Sequence, residues 1–137
     1  MPNRPPTDGP YTVAIADDDV RVREALVGLL DDDARIELRG AFADGNGLCE
    51  RCRAGDVDPA VIDVAMPGGG PELARAIHDI SPDTVIAVYT AHHDRRTRAA
   101  MLAAGAAAIL VKGATTDITA ALLDVLTTAR TADPSSA

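Results

Sequence analysis

Apolar positions along this chain alternate between two rhythms. Short runs of β-branched and small apolar residues at 12–16, 36–41, 60–63, 85–90 and 107–112 predict five strands. Between them, apolar residues recur every three or four positions: Val22, Ala25, Leu26, Leu29 and Leu30; a weaker stretch at 47–53; Leu73, Ile77 and Ile80; residues 99–103; and Ile118, Ala121, Leu122, Val125 and Leu126. That spacing gathers each set on one helix face and predicts five helices. Asp19 is placed to cap the first helix, Asp94 the fourth, and Thr115 or Thr116 the last.

Strands alternating with helices require right-handed βαβ crossovers, and therefore an α/β domain with a mostly parallel sheet covered on both faces. The runs VAIA and VIAV are apolar at every position, as strands buried on both sides must be. Residues 11–130 read as this single domain. Residues 1–10, with four prolines, and residues 131–137 carry too little apolar surface to fold and read as flexible tails or, at the second end, the start of a linker.

Composition narrows the picture. A chain of 137 residues suits one domain. Its aromatic residues are Tyr11, Phe42 and Tyr89, so the core must be assembled from Ala, Val, Ile and Leu. A net charge of −8 argues against direct binding to a nucleic-acid backbone, which rests on clustered Lys and Arg. The longest apolar stretch, residues 99–111, is interrupted by Gly105 and falls short of the roughly 20 residues that cross a bilayer. The stretch MPNRPPTDGP lacks the apolar centre of a signal peptide, so no membrane contact and a cytoplasmic location are expected.

The candidate chemistry sits where strands end. In open α/β sheets, ligands bind beyond the carboxyl ends of the strands. There the first strand runs into Asp17, Asp18 and Asp19, the third into Asp63, the fourth into Thr90 and the fifth into Lys112. Any one of these is an ordinary helix cap or solvated charge, but their joint placement brings several carboxylates, a hydroxyl and an ammonium to one edge. Clustered carboxylates repel, and a hard divalent cation with oxygen ligands, magnesium above all, relieves the conflict. An aspartate beside such an ion can act as a nucleophile toward phosphorus, with lysine and hydroxyl neutralising phosphoryl oxygens.

Three other features carry less. Cys49 and Cys52 in CERC lack the second ligand pair a zinc site needs. The stretch PGGGP at 67–71 lacks the Gly-Lys-Ser/Thr ending of a phosphate loop. His92 and His93 have no third ligand in evident reach, and read as the entry to the fourth helix.

The segments IADDDVRVREAL at 15–26, AVIDVAMPGGGPEL at 60–73, VIAVYTAHHD at 85–94 and AGAAAILVKGA at 104–114 resemble, in family order, the receiver domains of two-component response regulators. Lys112 followed by Gly113 is similar to the subgroup joined to LuxR-type DNA-binding domains. The resemblance implies a flavodoxin-like, doubly wound (βα)5 fold with strand order 2-1-3-4-5. It implies that Asp63 accepts a phosphoryl group from a histidine kinase. It further implies that Asp17, Asp18, Asp63 and the Ala65 carbonyl hold Mg2+, with Asp18 direct and Asp17 through water, that Thr90 and Lys112 assist, and that Asp19 is a helix cap.

A receiver of this kind is not an enzyme on external substrates; it assists its own phosphorylation and dephosphorylation. Its output would be altered partner contacts or a homodimer through helix 4, strand 5 and helix 5, regulating transcription through a DNA-binding domain. Ile109 departs from the family, which commonly has Tyr or Phe at this switch position. Ala65 and His92 occupy places that tune dephosphorylation. Two rivals follow: a degenerate receiver that binds partners without phosphorylation, and a magnesium-dependent phosphatase with an aspartate nucleophile. Such a phosphatase typically places a second aspartate where this chain has Ala65.

Overall fold

The computed structural model describes residues 10–66, 68–91 and 94–132. Nearly all of both expected tails, Pro67, and the His92 and His93 pair lie outside the described residues. Ten elements alternate without exception: β1 (Tyr11–Ala16), α1 (Val20–Asp31), β2 (Ile36–Phe42), α2 (Gly45–Arg53), β3 (Pro59–Ile62), α3 (Pro71–Ile80), β4 (Val85–Thr90), α4 (Arg95–Ala103), β5 (Ala108–Val111) and α5 (Ile118–Ala132). The five strands are parallel in the order β2-β1-β3-β4-β5. This is the flavodoxin-like, doubly wound arrangement expected from the sequence.

Strand alternation divides the core into two layers. Val13 and Ile15 of β1, Val61 of β3 and Ala87 of β4 point to one face, where they pack with Leu26 and Leu30 of α1 and Ile118 and Leu122 of α5. Ala14, Ala16, Ala60, Ile62, Ile86 and Val88 point to the other, against Leu48 and Cys52 of α2, Leu73 and Ile77 of α3 and Met101 of α4. The central strands mix Ala with Val and Ile, and these pack against Leu, Ile and Met of the helices, which is how a core with so few aromatics fills its volume. Each fully buried Ile or Leu contributes roughly 1.5–3 kcal/mol of transfer free energy.

Several local expectations change. On α1 the buried line is Leu26 and Leu30, with Val22 half-buried, whereas Ala25 is exposed and Leu29 is 56% exposed. A helix lying on a sheet buries a narrow i, i+4, i+8 stripe, and residues 25 and 29 stand about a quarter-turn off it. Helix α2 begins two residues before the expected stretch because Asp44 accepts the Gly47 N–H at 3.0 Å. Helix α4 likewise extends back to Arg95, where Asp94 accepts both the N–H and the hydroxyl of Thr97.

The last helix is capped neither by Thr115 nor by Thr116. It starts at Ile118, so the capping position falls on Asp117, whose carboxylate accepts the Ala120 N–H at 3.0 Å. Cys49 and Cys52 are free thiols on α2. Burial raises the pKa of both, that of Cys52 to about 11, which leaves them poor ligands and nucleophiles. No helix among the described residues is long and apolar enough to cross a membrane.

Candidate functional site

The chain leaves β1 toward β2, then returns to the other side of β1 to form β3. The strand order reverses between these two neighbours, and a crevice opens beyond their carboxyl ends. Asp17 follows β1 and Asp63 follows β3 directly, while Thr90 ends β4 and Lys112 follows β5. The ladders hold these residues even past the formal strand ends. Asp17 N–H donates to the Phe42 carbonyl at 3.0 Å, and Lys112 N–H to the Thr90 carbonyl at 2.9 Å.

Lys112 unites the site. Its Nζ donates to Asp17 Oδ2 at 2.8 Å and to Asp63 Oδ2 at 2.9 Å. Asp17 is 1% exposed and Asp63 5%, so both charges need these bonds. The second oxygen of each aspartate takes a backbone donor two residues on: Asp19 N–H to Asp17 Oδ1 at 3.0 Å, and Ala65 N–H to Asp63 Oδ1 at 3.2 Å. Asp18 is exposed beside them.

Burial is the largest single influence on Asp63 and opposes its ionisation. The Lys112 hydrogen bond, the Ala65 N–H, the Lys112 charge and a hydrogen bond with Thr90 together outweigh it, and the carboxyl falls below its ordinary pKa. Burial likewise works against the charge on Lys112, but its bonds to Asp17 and Asp63 and their charges prevail and raise its pKa. Asp63 is therefore held as a carboxylate at neutral pH, against a charged Lys112.

Asp17, Asp18 and Asp63 each offer an oxygen within 4.8 Å of the others. An all-carboxylate set with no nitrogen or sulfur ligand suits a hard cation such as Mg2+. Asp19 takes no part in it. Its carboxylate accepts the N–H groups of Arg21 and Val22 and caps α1, as expected. Thr90 is fully buried, and Ala65 is exposed on the loop after β3. Ile109 packs half-buried on the α2–α3–α4 side of the sheet.

Three residues of the site were not singled out from sequence. Arg23 Nη1 donates to the Asp17 carbonyl at 2.8 Å and ties α1 to the turn that carries the acidic pair. Its position one turn beyond Asp19, on a helix whose side chains lean toward its N-terminus, was the available signal. Gly69 folds against Asp63 so closely that a Cβ there would lie 2.6 Å from the Asp63 carbonyl oxygen. Tyr89 places its ring beneath the Lys112 ammonium, 5.8 Å from ring centroid to Nζ.

A five-stranded doubly wound sheet with three carboxylates and a lysine at its switch point defines a class of α/β domains whose site lies beyond the carboxyl ends of the strands. The family model described as "Response regulator receiver domain" matches residues 13–123, and the chain belongs to that family. It is 36% identical over 103 residues to the response regulator UvrY of Escherichia coli O6:H1, covering 74% of this chain and 47% of that protein. It thus spans about half the length of the curated relatives it matches. Among solved structures, the signal receiver domain of the putative response regulator NarL from Mycobacterium tuberculosis superposes with a TM-score of 0.81 at 30% identity, over 87% of this chain and 98% of that one. The isolated REC domain of RcsB from Salmonella enterica serovar Typhimurium, in the presence of phosphomimetic BeF3−, gives 0.75 at 28% identity over 83% of this chain and 86% of that one. The chain is a response regulator receiver domain of the two-component type, related to UvrY and to NarL.

Proposed function

We propose that this receiver is a phosphorylation switch in which Asp63 is the acceptor. The observation that carries the reading is the Lys112 ammonium shared between Asp17 and Asp63, 2.8 and 2.9 Å away. An Asp63 oxygen attacks the phosphorus of a histidine kinase's phosphohistidine; a P–O bond forms, the P–N bond breaks, and the imidazole leaves with its electron pair and takes up a proton. Asp17, Asp18, Asp63 and the Ala65 carbonyl would hold Mg2+, which supplies charge neutralisation for the transferring phosphoryl group. Lys112 follows the new negative charge, and the buried Thr90 hydroxyl lies on β4 as a donor to it.

Phosphorylation adds about −1.5 to −2 charges at the switch point. The output is a changed contact surface on α4, β5 and α5, used by a partner or a second copy of the chain. Residues 11–130 are the domain that does this, working in the cytoplasm and not as an enzyme on external substrates. In a longer protein, transcription would be regulated through an attached DNA-binding domain; RcsB has been seen bound to promoter DNA. Against the phosphatase rival stands Ala65, which offers no acid two residues after the nucleophile.

Intact mass after incubation with acetyl phosphate and Mg2+ tests this reading. One phosphoryl adduct on the wild type, absent with EDTA and absent on Asp63→Asn, is the expected result. An adduct that persists on Asp63→Asn, or a wild type that binds Mg2+ yet takes up none, overturns it.

A further inference from the structure

Lys112 is the only lysine of the chain, whose other twelve basic side chains of the Lys and Arg type are arginines. Two carboxylates account for two of its donors. An aromatic face lies beside it as well: Nζ lies over the Tyr89 ring at 5.8 Å, inside the ~6 Å at which the ring quadrupole attracts a cation.

The sheet builds this contact. Ala16 pairs with Ile62, and Ile62 with Val88, so one residue further the register sets Asp17 beside Asp63 and Asp63 beside Tyr89. Tyr89 in turn pairs with Leu110. Lys112, two positions past Leu110, is therefore its diagonal neighbour on the same face. That is the α1–α5 side, where Tyr89 and Leu110 pack together half-buried. The lysine stem leaves β5 and must pass Tyr89 on β4 to reach Asp63 on β3. Ile109 sits on the opposite face and has no part in this path.

We propose that Tyr89 is a positioning residue for Lys112: its ring, standing in the row between Asp63 and β5, holds the ammonium on the two carboxylates through its face, so the site requires the ring and not the phenol hydroxyl. A flexible four-carbon stem loses rotamer freedom when its ammonium is fixed, and a flat apolar shelf along its path reduces the number of alternatives. The consequence for rate rests on the reading of Asp63 as acceptor; the contact itself does not.

The test compares Tyr89→Phe and Tyr89→Leu with the wild type. Because there is one lysine, protein grown on 13C-lysine gives a single ε-methylene signal. The ring should displace that signal upfield in the wild type and in Tyr89→Phe, and the displacement should vanish in Tyr89→Leu while cooperative unfolding is retained. Acetyl phosphate should phosphorylate Tyr89→Phe within about twofold of wild type and Tyr89→Leu about three- to tenfold more slowly, the range of a ring–cation contact at a partly exposed site. A folded Tyr89→Leu whose lysine signal and rate match wild type overturns the inference, and so does a Tyr89→Phe that fails as Tyr89→Leu does. A wild type that takes up no phosphoryl group would sink the acceptor reading instead, and the lysine signal would still decide whether Tyr89 holds Lys112.

Discussion

Lys112 Nζ lies 2.9 Å from Asp63 Oδ2 although the two residues are 49 positions apart in the chain. The strand between theirs, β4, holds the two ends of this bond at a fixed separation, and Asp17 shares the ammonium. Two buried carboxylates meeting one cation leave a net negative charge, which a divalent cation would offset.

Removing the cation should therefore expose that imbalance. Lys112→Met keeps the stem and deletes the charge, leaving Asp17 and Asp63 facing each other without a counter-charge. A loss of about 3 kcal/mol is expected in urea unfolding without divalent ions, as for a broken buried pair. Mg2+ should recover more stability in the variant than in the wild type. Equal midpoints for the two proteins in EDTA would show that the pair does not hold the sheet edge together.

The pH dependence follows from the same bonds. The folded pKa of Asp63 lies below its ordinary 3.8, so its contribution is present above about pH 4 and is lost as pH falls through the lower folded value. The folded pKa of Lys112 lies above its ordinary 10.5, so its contribution is complete below that pH and is lost as pH rises through the higher folded value. Denaturant midpoints in metal-free buffer should be flat between about pH 5 and pH 9 with respect to these two groups. Asp63→Asn should weaken the acid-side decline. An acid limb identical in wild type and Asp63→Asn would rule out Asp63 as its source.

The three consecutive aspartates divide their labour, and substitution should separate them. Asp19→Ala removes the acceptor of the Arg21 and Val22 N–H groups at the start of α1. It should cost about 1 kcal/mol of stability and leave Mg2+ affinity nearly unchanged. Asp18→Asn should do the reverse, weakening Mg2+ binding with little effect on thermal unfolding, because Asp18 is exposed. Isothermal titration and melting curves on both variants decide this; a Mg2+ affinity that falls as far in Asp19→Ala as in Asp18→Asn contradicts the division.

Most of this architecture was legible in the residue pattern because strand and helix periods are local properties. The acidic turn, Asp63, Thr90 and Lys112 were legible because a parallel sheet collects its strand ends at one edge whatever the packing details. What escaped depended on register and on close approach. The bridge from Lys112 to Asp17 spans 95 positions and follows from three successive strand pairings, β1 with β3, β3 with β4 and β4 with β5. Tyr89 reads as one more apolar strand residue until Asp63, Tyr89 and Leu110 are seen in one row. Leu29 fitted the helical pattern but missed the stripe that the sheet covers, and Asp117 displaced two threonines as cap through a shift in where α5 begins.

At Gly69 the constraint on the site is one of backbone rather than charge. A Cβ at this position would stand 2.6 Å from the Asp63 carbonyl oxygen and 3.0 Å from that of Met66. Backbone atoms cannot rotate away, so Gly69→Ala must displace the loop between β3 and α3. That same loop carries Ala65, whose N–H reaches Asp63 Oδ1 at 3.2 Å. A cost of about 1–3 kcal/mol is expected, together with a raised Asp63 pKa in a carboxyl-carbon NMR titration as the Ala65 hydrogen bond lengthens. Gly28→Ala is the matched control: its Cβ meets nothing within 4 Å on the exposed side of α1, and it should stabilise the helix by about 0.5–1 kcal/mol. If Gly69→Ala were as well tolerated as Gly28→Ala, with the Asp63 titration unmoved, the loop would not be what holds the Ala65 N–H on the carboxylate.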